Sequence, residues 1–290
     1  TRRSPPWPVA AGALALAAAS RYGTGGCSVA TALASPLGTA AVPPPVVWSA
    51  PSVVRGSRFG RPCPFPAGLR YCTDFVTEEE EALLLEVLDG PGRESHWLQL
   101  LKSRAQQFFG LVYYQTTHDV PLLQPGSRRE QCGRPMEALP SWLLPRVRST
   151  GAFPRAEEIN QVAANEYTEN TGIASHVEDP TAFGANLATL SLLAPVQLTL
   201  TPVEEPIAGR DGIDHDNWVK VLLEPRSLLL LQGESRYAYR HGIRKSKLVM
   251  LSDGSSLRRD ADYRRVSLTF RELLETRRQL PTDAPRPEEV

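Results

Sequence analysis

The chain has 290 residues, 41% hydrophobic and 22% charged, with 32 basic and 32 acidic side chains and a formal net charge of zero. That length and apolar content bury one sizeable core and at most a small annex, so a single catalytic-size domain is the default. The apolar run PVAAGALALAAAS is too short and too small-sided to span a bilayer, and Cys27, Cys63, Cys72 and Cys132 show neither C-x-x-C spacing nor a closely spaced framework, so they read as free thiols that specify no redox compartment.

The first 73 residues hold seven Arg, no Lys and no acid; taking those seven from the 32 basic residues leaves 25 against 32 acidic ones, a net of −7. This acid-free, Ala/Ser/Pro/Gly-rich leader, placed at residues 1–60, reads as a transit peptide for a chloroplast or mitochondrion. A secretory signal charged at Arg2 and Arg3 and plain disordered sequence are the other readings, the last leaving the protein in cytoplasm or nucleus. The chain opens on Thr rather than Met, which leaves its true start undefined.

DFVTEEEEALLLEVLDG reads as a helix: Thr77 serves as N-cap, Glu80 completes a capping box, and acids crowd the positive end of the helix dipole. Leu83, Leu84, Val87 and Leu88 supply its buried face and Gly90 ends it. Residues 102–156 are irregular, with a strand-like aromatic KSRAQQFFGLVYYQ, a Gly/Arg/Pro-rich loop and the short apolar ALPSWLLPRV, a loop-rich region of the kind that carries binding surfaces. From residue 160 strands dominate: VQLTL alternates Val196, Leu198 and Leu200 with Gln197 and Thr199, SLLLLQG is a continuous apolar run, and RVSLTFR alternates again. Short strands, long turns and few helices favour an antiparallel sandwich or jelly roll over a βαβ sheet. Pro, Gly and charge mark residues 201–219 as an inserted surface loop, and residues 277–290 as a disordered tail, leaving 61–276 as the domain.

The stretch NEYTENTGIASHVEDP, residues 165–180, carries the densest chemistry. His176 and Glu178 stand two apart, so in an extended segment both project to one face. YAYRHGI offers His241 at the end of the apolar run, and two His with one carboxylate make the facial triad that leaves coordination positions open on Fe(II). Surface or hydrogen-bonded core histidines are the alternative, because a chain with five His offers similar pairs by chance. In RRVSLTFR, Arg265 and Arg271 share a face with Ser267 and Thr269, while Val266, Leu268 and Phe270 take the other. Two Arg on an inner face require anions, which a dicarboxylate would supply through charge-assisted hydrogen bonds; a solvated strand face is the other reading. Asn165 and Tyr167 repeat the i, i+2 geometry upstream. Asp214, His215 and Asp216 in DHDN also cluster, but among turn formers, and His96 and His118 have no partners in sequence.

The order N-x-Y, G-I-x-x-H-x-acid, an apolar strand ending near H-G-I, then R-x5-R resembles the AlkB family of Fe(II)- and 2-oxoglutarate-dependent dioxygenases, from about residue 68 to 276. Within it, ASHVEDPTAFGANLATLSL and PRSLLLLQGESRYAYRHGI are similar to the AlkB-type domain of the tRNA wobble-uridine hydroxylases, GESRY being the branch-specific part; LLEPRSLL is also echoed in other AlkB homologues. The resemblance implies a double-stranded β-helix with flanking N-terminal helices, and Fe(II) held by His176, Glu178 and His241. It also implies that Arg265 pairs the distal carboxylate of 2-oxoglutarate, with Asn165, Tyr167, Ser267 and Arg271 completing that site. The implied reaction consumes 2-oxoglutarate and O2, releases succinate and CO2, and oxidises a C–H bond of the substrate. Glu178 departs from the family's usual Asp by one methylene, about 1.5 Å of extra reach. Asp179 is a poor substitute, because an i+3 residue points to the opposite face of a strand.

The resemblance also implies a lid over a nucleotide, for which KSRAQQFFGLVYYQ offers Lys102 and Arg104 to phosphate and Phe109, Tyr113 and Tyr114 to stacking; a plain hydrophobic strand pair under the core is the alternative. The expected substrate is a nucleic acid base, above all in tRNA, hydroxylated or demethylated by a monomeric protein with no membrane partner. The net charge of −7 on residues 74–290 argues against strong nonspecific nucleic-acid binding, so a protein- or small-molecule-directed oxygenase and a binding protein with a decayed iron site remain alternatives. Lys102, Arg104, Arg128, Arg129, Arg240 and Lys247 on one face would favour nucleic acid.

Overall fold

A computed structural model of the chain describes residues 45–58, 60–90, 96–101, 103–112, 133–204 and 217–274. In chain order the described elements are β1 (Val53–Arg55), β2 (Ser57–Arg58), β3 (Arg61–Pro62), β4 (Leu69–Cys72), α1 (Glu78–Asp89), β5 (Leu98–Leu101), β6 (Arg104–Gly110), α2 (Leu143–Arg148), β7 (Gln161–Thr168) and β8 (Ile173–His176). There follow β9 (Phe183–Leu192), β10 (Val196–Pro202), β11 (Val219–Leu223), β12 (Leu228–Leu231), α3 (Gly233–Tyr237), β13 (Tyr239–Ile243), β14 (Leu248–Met250), β15 (Ser256–Arg258) and β16 (Arg264–Leu273). Two antiparallel sheets dominate, a seven-stranded one ordered β4-β12-β9-β16-β7-β6-β5 and a five-stranded one ordered β1-β11-β10-β13-β8; β14 and β15 form a separate hairpin. The result is the expected double-stranded β-helix, flanked by the N-terminal helix α1.

The seven-stranded sheet is the middle layer, and its sequences show why. Leu228 and Leu230 of β12 join the core under α1 and α2, whereas Leu229 and Leu231 join the core between the two sheets. Both faces of β12 are therefore dry, which explains four successive leucines where a half-exposed strand would alternate. β10 does alternate: Val196, Leu198 and Leu200 face the inter-sheet core, and Gln197 and Thr199 face outward. β16 gives Val266, Leu268 and Phe270 to the helix-side core and turns Arg265, Ser267 and Arg271 the other way, between the sheets.

The helix α1 begins as its sequence predicts, with the Thr77 hydroxyl accepting from the Glu80 amide and the Glu80 carboxylate accepting from the Thr77 amide. Leu84 and Leu88 are fully buried and Val87 packs partly against the core, but Leu83 is 48% exposed. Leu85 occupies the partly buried position instead, because residues 81, 84, 85 and 88 form one face at the helical period. Glu80 also forms a two-pronged ion pair with Arg146 of α2, its Oε1 2.6 Å from Nη2, and so ties the two covering helices together.

The folded unit starts earlier than residue 61. β1 pairs with β11 at the edge of the five-stranded sheet, and the Ser49 amide bonds the Tyr71 carbonyl. At the insertion, β10 runs through Pro202 and β11 begins at Val219, so the ladder claims both of its ends. Asp214, His215, Asp216, His118, the tail and residues 1–44 lie outside the described residues. His96 is half-buried, and Cys63 and Cys72 are buried thiols. No helix among the described residues is long and apolar enough to cross a membrane.

Replacing Glu80 by Gln keeps a capping acceptor and removes the ion pair, and the expected cost is about 1–2 kcal/mol at neutral pH. The hydrogen bond from Arg146 holds the Glu80 carboxyl below its usual range, so its contribution is present above the unfolded value, roughly pH 4.3, and is lost as pH falls through the lower folded value. Urea unfolding of both proteins should therefore show the gap near neutrality and its disappearance in acid; a gap that persists in acid would contradict the pairing.

Candidate metal centre

Strands β8 and β13 are antiparallel neighbours with His176 directly opposite His241. Two glycines permit that approach. A Cβ on Gly172 would stand 2.1 Å from the Ile243 carbonyl oxygen, and one on Gly242 would stand 2.9 Å from Cα of Ser175. Each Gly precedes an Ile that packs at the inter-sheet core, so the repeated G-I dipeptide closes the pair of strands and seats it.

The two imidazoles lie with ring centroids 4.6 Å apart, tilted by 51°. Glu178, two residues beyond the end of β8, brings Oε1 to 3.9 Å from His176 Nε2. Potential ligand atoms of His176, Glu178 and His241 all lie within 4.8 Å of one another, so these three side chains could hold one metal ion. His176 donates Nδ1–H to the Ala174 carbonyl oxygen at 2.8 Å, which leaves Nε2 as its ligand atom. Burial, and after it the nearby His176, pushes His241 down to about 3, so the imidazole is neutral at physiological pH, as ligation requires. Its Nδ1 is buried without a hydrogen bond, a cost that a bound group would relieve.

Burial favours protonation of Glu178, but Arg271, His176, His241 and Arg236 together outweigh it and hold the carboxyl below its usual range. Arg271 Nη1 lies 2.9 Å from Glu178 Oε1, its Nε donates to Gln161 Oε1 at 2.6 Å, and its guanidinium sits 4.0 Å over the Phe183 ring. Arg236, 0% exposed, donates to the main-chain carbonyl oxygens of Glu178 and Phe183 at 2.9 and 3.4 Å. Asp179 is occupied differently, its Oδ1 accepting from the amide and hydroxyl of Thr181.

A second polar group lies on the facing sheet. Arg265 pairs across the ladder with Tyr167, and Ser267 pairs with Asn165 on one side and Ser191 on the other. Arg265 is 1% exposed; it donates to Ser191 Oγ at 2.9 Å, stands 5.4 Å over the Tyr167 ring, and its Nε has no partner. Burial lowers its pKa, and the neighbours that act against this are Tyr167 and Tyr263 rather than any carboxylate. A buried guanidinium with no acid beside it calls for an anion, and the fork geometry of Arg suits a carboxylate. Burial likewise raises the Tyr167 phenol, which stays protonated and able to donate.

The lid residues divide. Arg104 Nε and Gln106 Nε2 both donate to Asn165 Oδ1, at 3.1 and 2.9 Å, so Arg104 is turned to the Asn165 face rather than outward to a phosphate. Phe109 cannot stack on a base. It is 0% exposed in the helix-side core, because β6 alternates and Phe109 shares the buried face of Ala105 and Gln107; for this residue the plain core-strand alternative holds. Lys102, Tyr113 and Tyr114 lie outside the described residues. Sequence reading missed the supporting partners Arg236, Gln161 and Ser191. GESRY marked Arg236 as part of a signature but gave no sign that it grips the Glu178 main chain 58 residues earlier.

Two His on adjacent strands of a jelly roll and a carboxylate just beyond one of them, opposite a buried Arg with no acid beside it among the described residues, define the class of facial-triad oxygenases. A model of the 2OG-Fe(II) oxygenase superfamily matches residues 68–271, and the chain belongs to that superfamily. It is similar to the "Alkylated DNA repair protein ALKBH8 homolog" of Arabidopsis thaliana, 29% identical over 219 residues, covering 71% of this chain and 58% of that one. It is also similar to the "tRNA (carboxymethyluridine(34)-5-O)-methyltransferase alkbh8" of Xenopus tropicalis, 30% identical over 200 residues, covering 66% of this chain and 28% of that one. A third relative, the "Probable RNA/DNA demethylase ALKBH6" of Danio rerio, is 30% identical over 185 residues, covering 62% of this chain and 70% of that one, which makes this an AlkB-type member. The family's enzymes are dioxygenases that use Fe(II), 2-oxoglutarate and O2, and the donor set fits that iron.

The expected metal behaviour is one Fe(II) per chain after anaerobic loading and desalting, read by elemental analysis. His176→Ala and His241→Ala should lose it, and Arg271→Met should weaken retention about 10–100-fold, as removal of an outer partner of a ligand does. Retention of a full equivalent by both His variants would show that the triad is not the site.

Proposed function

We propose that the chain is an oxygenase that oxidises a nucleic-acid base, with RNA and above all tRNA as the substrate class, and that His176, Glu178 and His241 hold its Fe(II). The observation that carries the oxygenase reading is the meeting of this triad with a buried, acid-free Arg265. The relatives whose names specify tRNA, DNA or RNA support the substrate class.

When bound, iron and 2-oxoglutarate supply the oxidising power: O2 converts 2-oxoglutarate to succinate and CO2, and a substrate C–H bond is hydroxylated, which releases the carbon as an aldehyde where it was an N-methyl group. The chain's residues do the rest. Arg265 takes the distal carboxylate, with Ser191, Ser267, Asn165 and Tyr167 as the polar wall around it. Arg271 acts through Glu178, holding its Oε1 so that the longer acid keeps one orientation, while Arg236 fixes the main chain on either side of the turn that carries it. Glu178 is thereby a supported ligand. Shortening it to Asp withdraws the carboxylate from Arg271 by about one C–C bond, and Fe(II) retention by Glu178→Asp should fall rather than rise.

A protein- or small-molecule-directed oxygenase is the second reading, because the expected basic face is thin among the described residues, which leave out Lys102, Arg128 and Arg129. Arg240 donates to the carbonyl oxygens of Pro202 and Val203, and Arg104 donates to Asn165; Lys247 is exposed. The decisive experiment is nucleoside mass spectrometry of tRNA incubated with the Fe(II)-loaded chain, 2-oxoglutarate and air. A nucleoside gaining oxygen or losing a methyl group with the parent and not with His176→Ala supports the proposal. Succinate released with no change in tRNA, other RNA or DNA contradicts the substrate and moves the second reading ahead.

A further inference from the structure

The outer face of the five-stranded sheet, away from the triad, carries a second polar site. The hairpin of β14 and β15 packs over β10 and leaves a cavity of about 280 Å³ lined by Gln197, Thr199, Lys220, Arg244, Lys245 and Arg259, among other residues, with no Asp or Glu in its wall. Thr199 and Lys220 are directly paired across β10 and β11, so both project from the same outward face. Arg259, 4% exposed, has carbonyl oxygens from Thr171 and Arg244 and the Tyr263 ring 4.6 Å away, but its Nε has no partner. Thr199 is 1% exposed and its hydroxyl also has no hydrogen bond. Burial, then Arg244, pulls the Lys220 ammonium below its usual range, and burial does the same to Arg259.

Two unsatisfied buried donors, Arg259 Nε and the Thr199 hydroxyl, and the basic side chains of Lys220, Lys245 and Arg259, with Arg244 at the rim and no acid among the described lining residues, form a concave site for a multiply charged oxyanion. We propose that this cavity binds a phosphate group, with Arg259 and the Thr199 hydroxyl at its floor, Lys220 and Lys245 at its walls and Arg244 at its rim. The phosphate comes either from a free phosphorylated molecule or from the backbone of an RNA whose base reaches the iron. In the second case the cavity supplies affinity that a chain with no net positive charge otherwise lacks.

The test is calorimetric titration of the Fe(II)-loaded chain with inorganic phosphate, and separately with a short single-stranded RNA. Arg259 stays intact, since a buried Arg removed would endanger folding. The variants are Lys220→Gln/Lys245→Gln, at half-buried and exposed positions, and Thr199→Val, which removes the hydroxyl while preserving shape. One phosphate per chain is expected, weakened at least tenfold by the double variant and severalfold by Thr199→Val, with Fe(II) retention unchanged in both. RNA affinity that falls in the double variant, with phosphate competing, assigns the site to RNA; RNA affinity that does not move assigns it to a free phosphorylated ligand. No phosphate binding at millimolar concentration, or equal binding by parent and double variant, overturns the proposal.

Discussion

The charge of Arg265 organises this protein. A guanidinium 1% exposed, with Ser191 as its one hydrogen-bond acceptor and no carboxylate beside it among the described residues, costs several kcal/mol unless an anion joins it. The chain bears that cost on the strand pair where the two faces of β16 are sorted into apolar and polar. Ser191 and the Tyr167 ring meet the guanidinium, and Asn165 and Ser267 share its strand face, so its described neighbours are neutral and a charged guest is left to supply the counter-charge. Stability and co-substrate binding are coupled for the same reason: an acid that binds the folded state alone adds its binding free energy to the fold.

That arrangement depends on the layer order. The seven-stranded sheet can devote its inner face to chemistry because its other face is sealed by α1 and α2 over Leu228, Leu230, Val266, Leu268 and Phe270. The five-stranded sheet contributes the three candidate metal ligands, and there the constraint is distance. Gly172 and Gly242 let β8 and β13 approach, and the direct pairing of His176 with His241 follows from that register. Glu178 reaches the same point from beyond the strand end, steadied at its carboxylate by Arg271 and at its main chain by Arg236.

Much of this was legible in the sequence because it is local. Period-2 alternation separated Arg265 from Val266, the capping box placed the start of α1, and H-x-E with H-G-I named the triad. What escaped was long-range or decided by a neighbouring strand. Leu83 lies on the exposed side of a helix whose apolar run is wider than its buried face. Phe109 looked available for stacking because β6 has aromatics on both faces, and only the pairing with β7 shows which face meets the core. Arg271, expected at the co-substrate, also braces Glu178, a contact across 93 positions that no spacing reveals. β1 lay inside what composition marked as leader, since a three-residue edge strand has no periodicity to detect.

The central claim, that Arg265 is the counter-charge for the distal carboxylate of a 2-oxo diacid, is tested most directly without turnover. Anaerobic titration of the Fe(II)-loaded protein, followed by the visible charge-transfer absorption of an iron-chelated 2-oxo acid, compares 2-oxoglutarate with 2-oxobutyrate, which lacks the distal carboxylate. The account predicts that the parent prefers 2-oxoglutarate by at least tenfold, on the order of 1.4 kcal/mol, and that Arg265→Met removes the preference while 2-oxobutyrate binds as before. A preference that survives in Arg265→Met would contradict it.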